Sequence, residues 1–158
     1  MGEVGRPGGL DRREFVIGVG AAGAAVVLCG ATGAVAQELP SFDEVFKKVV
    51  GDKTPEEKGV RLELPEIAEN GNTVPFSVAV DSPMTEQDHV RAIHVLSTGN
   101  PQPVVATFRF TPASGKASVS SRMRLAKTQE IVTVAELSTG KFVVGRKLVK
   151  VTIGGCGG

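Results

Sequence analysis

From Val60 to Ile153 the chain alternates apolar and polar residues with a period of two. This rhythm constrains the fold more than any other feature. In an extended strand a two-residue period puts every apolar side chain on one face. Val60, Leu62 and Leu64 alternate with Arg61 and Glu63, and Pro65 ends that strand or sets it at an edge. After the turn signal Asn70-Gly71-Asn72, Val74, Phe76, Val78 and Val80 alternate with Pro75, Ser77, Ala79 and Asp81. A less regular strand spans 89–96, and Ser97-Thr98-Gly99-Asn100-Pro101 reads as a loop. Alternation resumes at 104–111, Pro112-Ala113-Ser114-Gly115 turns the chain, and strands follow at 117–125 and 130–137. Ser138-Thr139-Gly140 turns again before a last strand over 141–153, bent at Gly145. Single-faced strands of this kind form antiparallel sheets that share one core. The expected fold is all-β: an immunoglobulin-like antiparallel sandwich of about seven strands. With no Trp, and so no Cys–Trp–Cys core, it is not a true immunoglobulin domain.

Ahead of the strands the period is 3.6. Phe42, Val45, Phe46 and Val49 recur at helical spacing, with Ser41 and Glu44 placed as a capping box and Gly51 as a stop. A short helix over 42–51 is expected, followed by a charged loop over 52–58.

Residues 1–36 read as an export signal. Arg12 and Arg13 precede an uncharged Ala/Gly/Val-rich run from Val16, which ends in the A-x-A cleavage pattern Ala34-Val35-Ala36. The arginine pair fits a twin-arginine signal, although Asp11 stands where Ser or Thr is usual. The alternative is a general secretory signal. The Gly/Ala-rich run and the cleavage site argue against a membrane anchor. Bulky Leu28 before Cys29 argues against lipid attachment. The expected location is the periplasm. The expected organisation is a cleaved signal over 1–36, a sandwich domain over 37–153 and a flexible arm over 154–158.

Cleavage takes Cys29 with it and leaves Cys156 alone. Three basic and three acidic residues leave as well, so the net charge stays +1. One cysteine in an exported chain cannot form an internal disulfide, so it pairs between chains or is used chemically. Near-neutral charge, 4% aromatic residues and no Trp or Tyr leave little to bind nucleic acid with.

The body offers little enzyme chemistry. His89 and His94 are five apart on an expected strand, so their side chains point to opposite faces and cannot clamp one metal. Glu56-Glu57 reads as a solvated loop pair. Arg122 and Arg124 share a polar strand face that suits solvent or an anionic partner, and Met123 reads as core. No metal site and no cofactor are expected.

The tail is different. Gly154-Gly155-Cys156-Gly157-Gly158 follows the last strand. Glycine has no Cβ, and an ordered glycine segment loses backbone entropy that no buried surface repays. Gly154, Gly155, Gly157 and Gly158 are therefore expected to keep the arm thin and flexible. Cys156 is three residues past Ile153, which places its sulfur about 10 Å beyond the sheet when extended. A free thiol titrates near ~8.5, and no helix N-terminus or cation in the tail lowers it. Such a thiol suits holding a sulfur cargo better than acting alone as a nucleophile. The competing reading is a secreted binding module whose single cysteine makes an intermolecular disulfide.

This terminal GGCGG arm, behind an exported β domain with a twin-arginine-like signal, resembles the SoxY family, the sulfur carriers of bacterial Sox thiosulfate oxidation. The resemblance covers the whole layout, and its specific part is the arm. It implies a carrier that is not itself an enzyme, with Cys156 as the covalent attachment point. It implies a heterodimer with a SoxZ-type β-sandwich subunit. It also implies three partners: a c-type cytochrome complex that conjugates thiosulfate, a dimanganese hydrolase that releases sulfate and, where present, a molybdenum–haem sulfane dehydrogenase.

Overall fold

The computed structural model describes residues 39–155. The features assigned to Arg12, Arg13, Cys29, Ala34, Ala36, Cys156, Gly157 and Gly158 lie outside these residues.

Helix α1 covers Phe42–Val50 and begins with the expected capping box. The Glu44 backbone N–H donates to Ser41 Oγ at 3.3 Å, and the Ser41 N–H donates back to Glu44 Oε2 at 2.8 Å. Gly51 ends the helix at φ 63°, where a side chain would be strained, and donates its N–H to the Lys47 carbonyl. Eight strands follow: β1 Val60–Glu63, β2 Ile67–Asn70, β3 Val74–Val80, β4 Val90–Ser97, β5 Val104–Arg109, β6 Ala117–Met123, β7 Gln129–Leu137 and β8 Phe142–Ile153. They form a three-stranded sheet in the order β1-β3-β6 and a five-stranded sheet in the order β2-β8-β7-β4-β5. Among the described residues no helix is long and apolar enough to cross a membrane.

The all-β sandwich is as expected, with alternation as its cause. Val74, Phe76, Val78 and Val80 of β3 all face the core, opposite Ile93 and Val95 of β4 and Ile131 and Ala135 of β7. Strands β4 and β7 are apolar on both faces, because α1 covers the outside of the larger sheet. Val45 and Val50 of the helix pack there on Leu96, Val132, Val134, Phe142 and Val144. That second burial is why 89–96 looked irregular.

The strand count is eight rather than seven, and one pair is parallel. Strand β2 lies beyond Pro65, and only Ala68 of it is buried, so it carries almost no alternation signal. It pairs in parallel with the end of β8, with Ala68 opposite Val151 and Asn70 opposite Ile153. β8 is one continuous strand through Gly145. A Cβ at Gly145 would stand 2.9 Å from Val60 Cγ1, so that glycine makes room for β1. Together β2 and the long β8 carry the chain to the end of the sandwich where the arm leaves.

Candidate functional site: the root of the C-terminal arm

Three stretches of backbone meet at that end: the turn at Gly71 between β2 and β3, the segment Leu125–Ala126 after β6, and the exit of β8 at Ile153–Gly155. Asn70 shapes the turn by accepting the Asn72 N–H on its Oδ1 at 2.9 Å. The Gly71 N–H then donates to the Ile153 carbonyl at 2.7 Å. The Leu125 N–H donates to the Gly71 carbonyl at 2.8 Å, and the Gly155 N–H donates to the Leu125 carbonyl at 2.9 Å. The three bonds join the smaller sheet to the larger one and hold the arm root to both.

Only glycine fits this junction. A Cβ on Gly71 would sit 2.2 Å from the Leu125 carbonyl oxygen and 2.7 Å from the Gly155 nitrogen. A Cβ on Gly154 would sit 2.2 Å from the Ala126 carbonyl oxygen, and one on Gly155 would sit 2.8 Å from the Gly71 oxygen. All four contacts are to backbone, which cannot swing aside. Gly154 and Gly155 are therefore part of this junction. Gly155 is buried, its N–H is bonded, and both glycines are there for close approach.

A polar brace supports Leu125–Ala126 from its other edge. Asn100 Nδ2 donates to the Arg124 carbonyl at 2.9 Å, and its Oδ1 accepts from the Ala126 N–H at 3.0 Å. Gln129 Nε2 donates to the same Oδ1 at 2.7 Å, and Gln129 Oε1 accepts the Gly99 N–H at 2.8 Å. The Val151 N–H donates to Thr128 Oγ1 at 2.9 Å, and Thr152 Oγ1 donates to the Glu69 carbonyl at 3.0 Å. Sequence reasoning missed this brace. One signal was present: Gln129 has the parity of the core residues Ile131 and Ala135, which marks a buried polar group.

The other candidates stay apart. His89 precedes β4, with its Nδ1 3.0 Å from the Thr85 carbonyl. His94 is on the outer face of β4, with its Nδ1 3.1 Å from Thr107 Oγ1. It lies in a groove of about 780 Å³ between α1 and β5. Burial, and to a lesser degree the Arg109 charge, pull its pKa below the ordinary value against the raising effect of Glu136. Glu56 forms an ion pair with Lys58, whose hydrogen bond and charge lower the Glu56 pKa. Glu57 pairs with Arg146 at 3.7 Å. Met123 is buried, and Arg122 and Arg124 are exposed near the arm root. Among the described residues no three His, Cys, Asp or Glu side chains are grouped to hold a metal ion.

Comparison with known proteins follows the same outline. The family model described as sulfur oxidation protein SoxY matches residues 46–156. The structure of the sulfur carrier protein SoxY from Chlorobium limicola f thiosulfatophilum is 36% identical. Its alignment covers 72% of this chain and 97% of that one, with a TM-score of 0.59. A superoxide reductase (neelaredoxin) from Ignicoccus hospitalis is 19% identical over 60% of this chain and 80% of its own, with a TM-score of 0.53. A putative superoxide reductase from Thermotoga maritima is 20% identical over 74% and 96%, with a TM-score of 0.52. These two share the fold alone. No curated protein matches the chain. A family match that runs from α1 through the whole sandwich to Cys156, together with the identity to a solved member, settles the relationship: this chain belongs to the SoxY family.

Proposed function

We propose that the protein is a covalent carrier of sulfur intermediates in thiosulfate and sulfur oxidation, with the Cys156 thiol as its attachment point. It serves as a held substrate for partner enzymes and is not itself an enzyme. The observation that carries this reading is the family match, which ends on Cys156, the residue after Gly155, whose N–H is bonded to the body. The solved relative is a sulfur carrier protein.

The chemistry follows from the thiol. Thiosulfate joins it with loss of one proton and two electrons, forming an S–S bond and leaving R–S–S–SO3⁻. The electrons pass to a c-type cytochrome complex. Water then cleaves the terminal S–SO3⁻ bond at a dimanganese hydrolase, giving R–S–SH and hydrogen sulfate. Where a molybdenum–haem sulfane dehydrogenase is present, it oxidises the remaining sulfane sulfur. The carrier's part is to present one sulfur atom without neighbouring side chains in the way, which the glycines beside Cys156 permit. A SoxZ-type subunit completes the heterodimer, and the signal over 1–36 delivers the chain to the periplasm.

The test is intact mass spectrometry of the mature protein from thiosulfate-grown cells, before and after reductant, with the C-terminal peptide mapped. Reducible sulfur or sulfonate adducts on Cys156 are expected. A bare thiol, or only a protein–protein disulfide, would sink the carrier reading and favour a dimerising module.

A further inference from the structure

The chain has three asparagines, and one of them, Asn70, stands directly before a glycine. An Asn-Gly peptide is chemically labile. The glycine backbone nitrogen loses its proton and attacks the asparagine Cγ, ammonia leaves, and a five-membered succinimide forms. Water then opens the ring at one of its two carbonyls. One product is aspartate. The other is isoaspartate, in which the main chain runs through Cγ and is one methylene longer. No electrons are gained or lost: asparagine and water become the acid and ammonia. Glycine favours this reaction because no Cβ hinders the attack. Asn72 is followed by β-branched Thr73, which does hinder it, and Asn100 by Pro101, which has no N–H to lose.

In the fold the reacting nitrogen is one that joins the two sheets. The Gly71 N–H donates to the Ile153 carbonyl at 2.7 Å, and Gly71 is buried. The Gly71 carbonyl accepts the Leu125 N–H at 2.8 Å, so the residue is held from both sides. The Asn70 side chain is held as well: its Oδ1 accepts from the Asn72 N–H at 2.9 Å and from Asn72 Nδ2 at 3.1 Å. Attack needs the Gly71 nitrogen to give up its proton and the Asn70 Cγ to turn onto it. The Ile153 bond opposes the first, and the Asn72 bonds oppose the second. The exit of β8 therefore guards the labile peptide.

We propose that Asn70-Gly71 is a spontaneous deamidation site held latent by the glycine junction, and that its isoaspartyl form is a modified state in which the root of the arm is released from the body. The inference stands apart from the carrier reading. Isoaspartate adds one C–C bond, about 1.5 Å of chain, immediately before Gly71. The junction has no room for that shift: even a Cβ on Gly71 would sit 2.2 Å from the Leu125 carbonyl oxygen. The displacement breaks the Gly71 N–H bond to Ile153 and the Leu125 N–H bond to Gly71. The Leu125 carbonyl, which accepts the Gly155 N–H, loses its fixed place with them.

The experiment incubates the mature protein in mildly alkaline buffer and follows the peptide that holds Asn70 by mass spectrometry, with the aspartyl and isoaspartyl products separated. The same chain in guanidinium chloride gives the unguarded rate. The folded protein should deamidate at least about tenfold more slowly. Gly155→Ala puts a Cβ 2.8 Å from the Gly71 oxygen and should speed the folded-state reaction roughly three- to tenfold. Gly115→Ala, away from the junction, should leave the rate unchanged and controls for a general loss of stability. In the isolated isoaspartyl form the Leu125 and Gly155 amides should exchange hydrogen faster than in the unmodified protein. Asn70→Asp has the same charge without the added methylene and should keep both protected. Equal rates in the folded and unfolded chains overturn the latency, a test that needs no variant. A rate in Gly155→Ala no faster than in Gly115→Ala overturns the junction as the guard. Unchanged exchange at Leu125 and Gly155 in the isoaspartyl form overturns the released root.

Discussion

The glycine junction makes a quantitative demand at Gly71, a residue far from the arm in sequence. Gly71→Ala would place its Cβ 2.2 Å from the Leu125 carbonyl oxygen, where contacts under about 3.0 Å are essentially never found. The two backbones must part by nearly 1 Å. That stretches the Leu125 N–H to Gly71 carbonyl bond of 2.8 Å and the Gly71 N–H to Ile153 carbonyl bond of 2.7 Å beyond useful length. Each bond contributes about 1 kcal/mol net, and forced displacement in a packed region adds roughly 1–2 kcal/mol. The expected loss is about 3–4 kcal/mol, or on the order of 10 °C in Tm for a domain of this size. Urea unfolding of the mature protein measures it directly. Gly115→Ala is the control: Gly115 sits at φ 70° with nothing near its Cβ position, so it should lose only the left-handed penalty of about 1 kcal/mol. If Gly71→Ala costs no more than Gly115→Ala, the close-approach argument is wrong, and with it the account of why Gly154 and Gly155 are glycines.

Four further outcomes are expected. Cys156→Ser should abolish cargo loading while leaving the unfolding midpoint unchanged, as mass spectrometry and urea titration together would show. Asn100→Ala removes three hydrogen bonds at the brace and should cost about 2–3 kcal/mol by urea unfolding. Thr133→Val should be neutral or stabilising by up to about 1 kcal/mol, because Thr133 Oγ1 is buried without a partner; thermal unfolding checks it. His94 has a lowered pKa in the fold, so the unfolded chain binds its proton more readily. Stability should therefore fall as the pH drops below the ordinary histidine value of about 6.5, and His94→Gln should flatten that slope in urea midpoints measured between pH 8 and 5.

The sandwich was legible because β3 and β6 face solvent on one side, which preserves the two-residue rhythm. The helix was legible because Ser41 and Glu44 stand in capping register. Strand β2 was not, since a four-residue strand with one buried side chain leaves almost no pattern, and parallel pairing with β8 is set by register rather than by composition. The contact of Gly154 and Gly155 with the body was not legible. A glycine that supplies freedom and a glycine that permits contact are the same letter. The difference lies in Gly71 and Leu125, which are 83 and 29 residues before Gly154. The brace was hidden for a similar reason: Asn100 sits in a stretch that reads as a loop, and its partners come from elsewhere, Arg124 and Ala126 from the β6–β7 connection and Gln129 from the start of β7.

The docked root changes the length of the arm. Counted from Ile153, three residues carry Cys156 about 10 Å from the sheet. Counted from Gly155, whose N–H is bonded to the body and which is the last of the described residues, Cys156 is one residue on, or about 3.5 Å. The difference of roughly 7 Å decides whether a partner's site must come to the surface of the carrier or can lie in a narrow channel. Undoing it costs little. The Gly155 N–H to Leu125 carbonyl bond is a single backbone bond with a net value of about 1 kcal/mol. That is less than the 1.4 kcal/mol of a tenfold equilibrium, and Gly154 and Gly155 bury no side chains that must be exposed. A partner that offers the Gly155 N–H another acceptor would recover even that. The glycines therefore serve two ends without conflict: the absence of Cβ atoms lets the arm lie close against Gly71 and Ala126, and the same absence leaves little to hold it there.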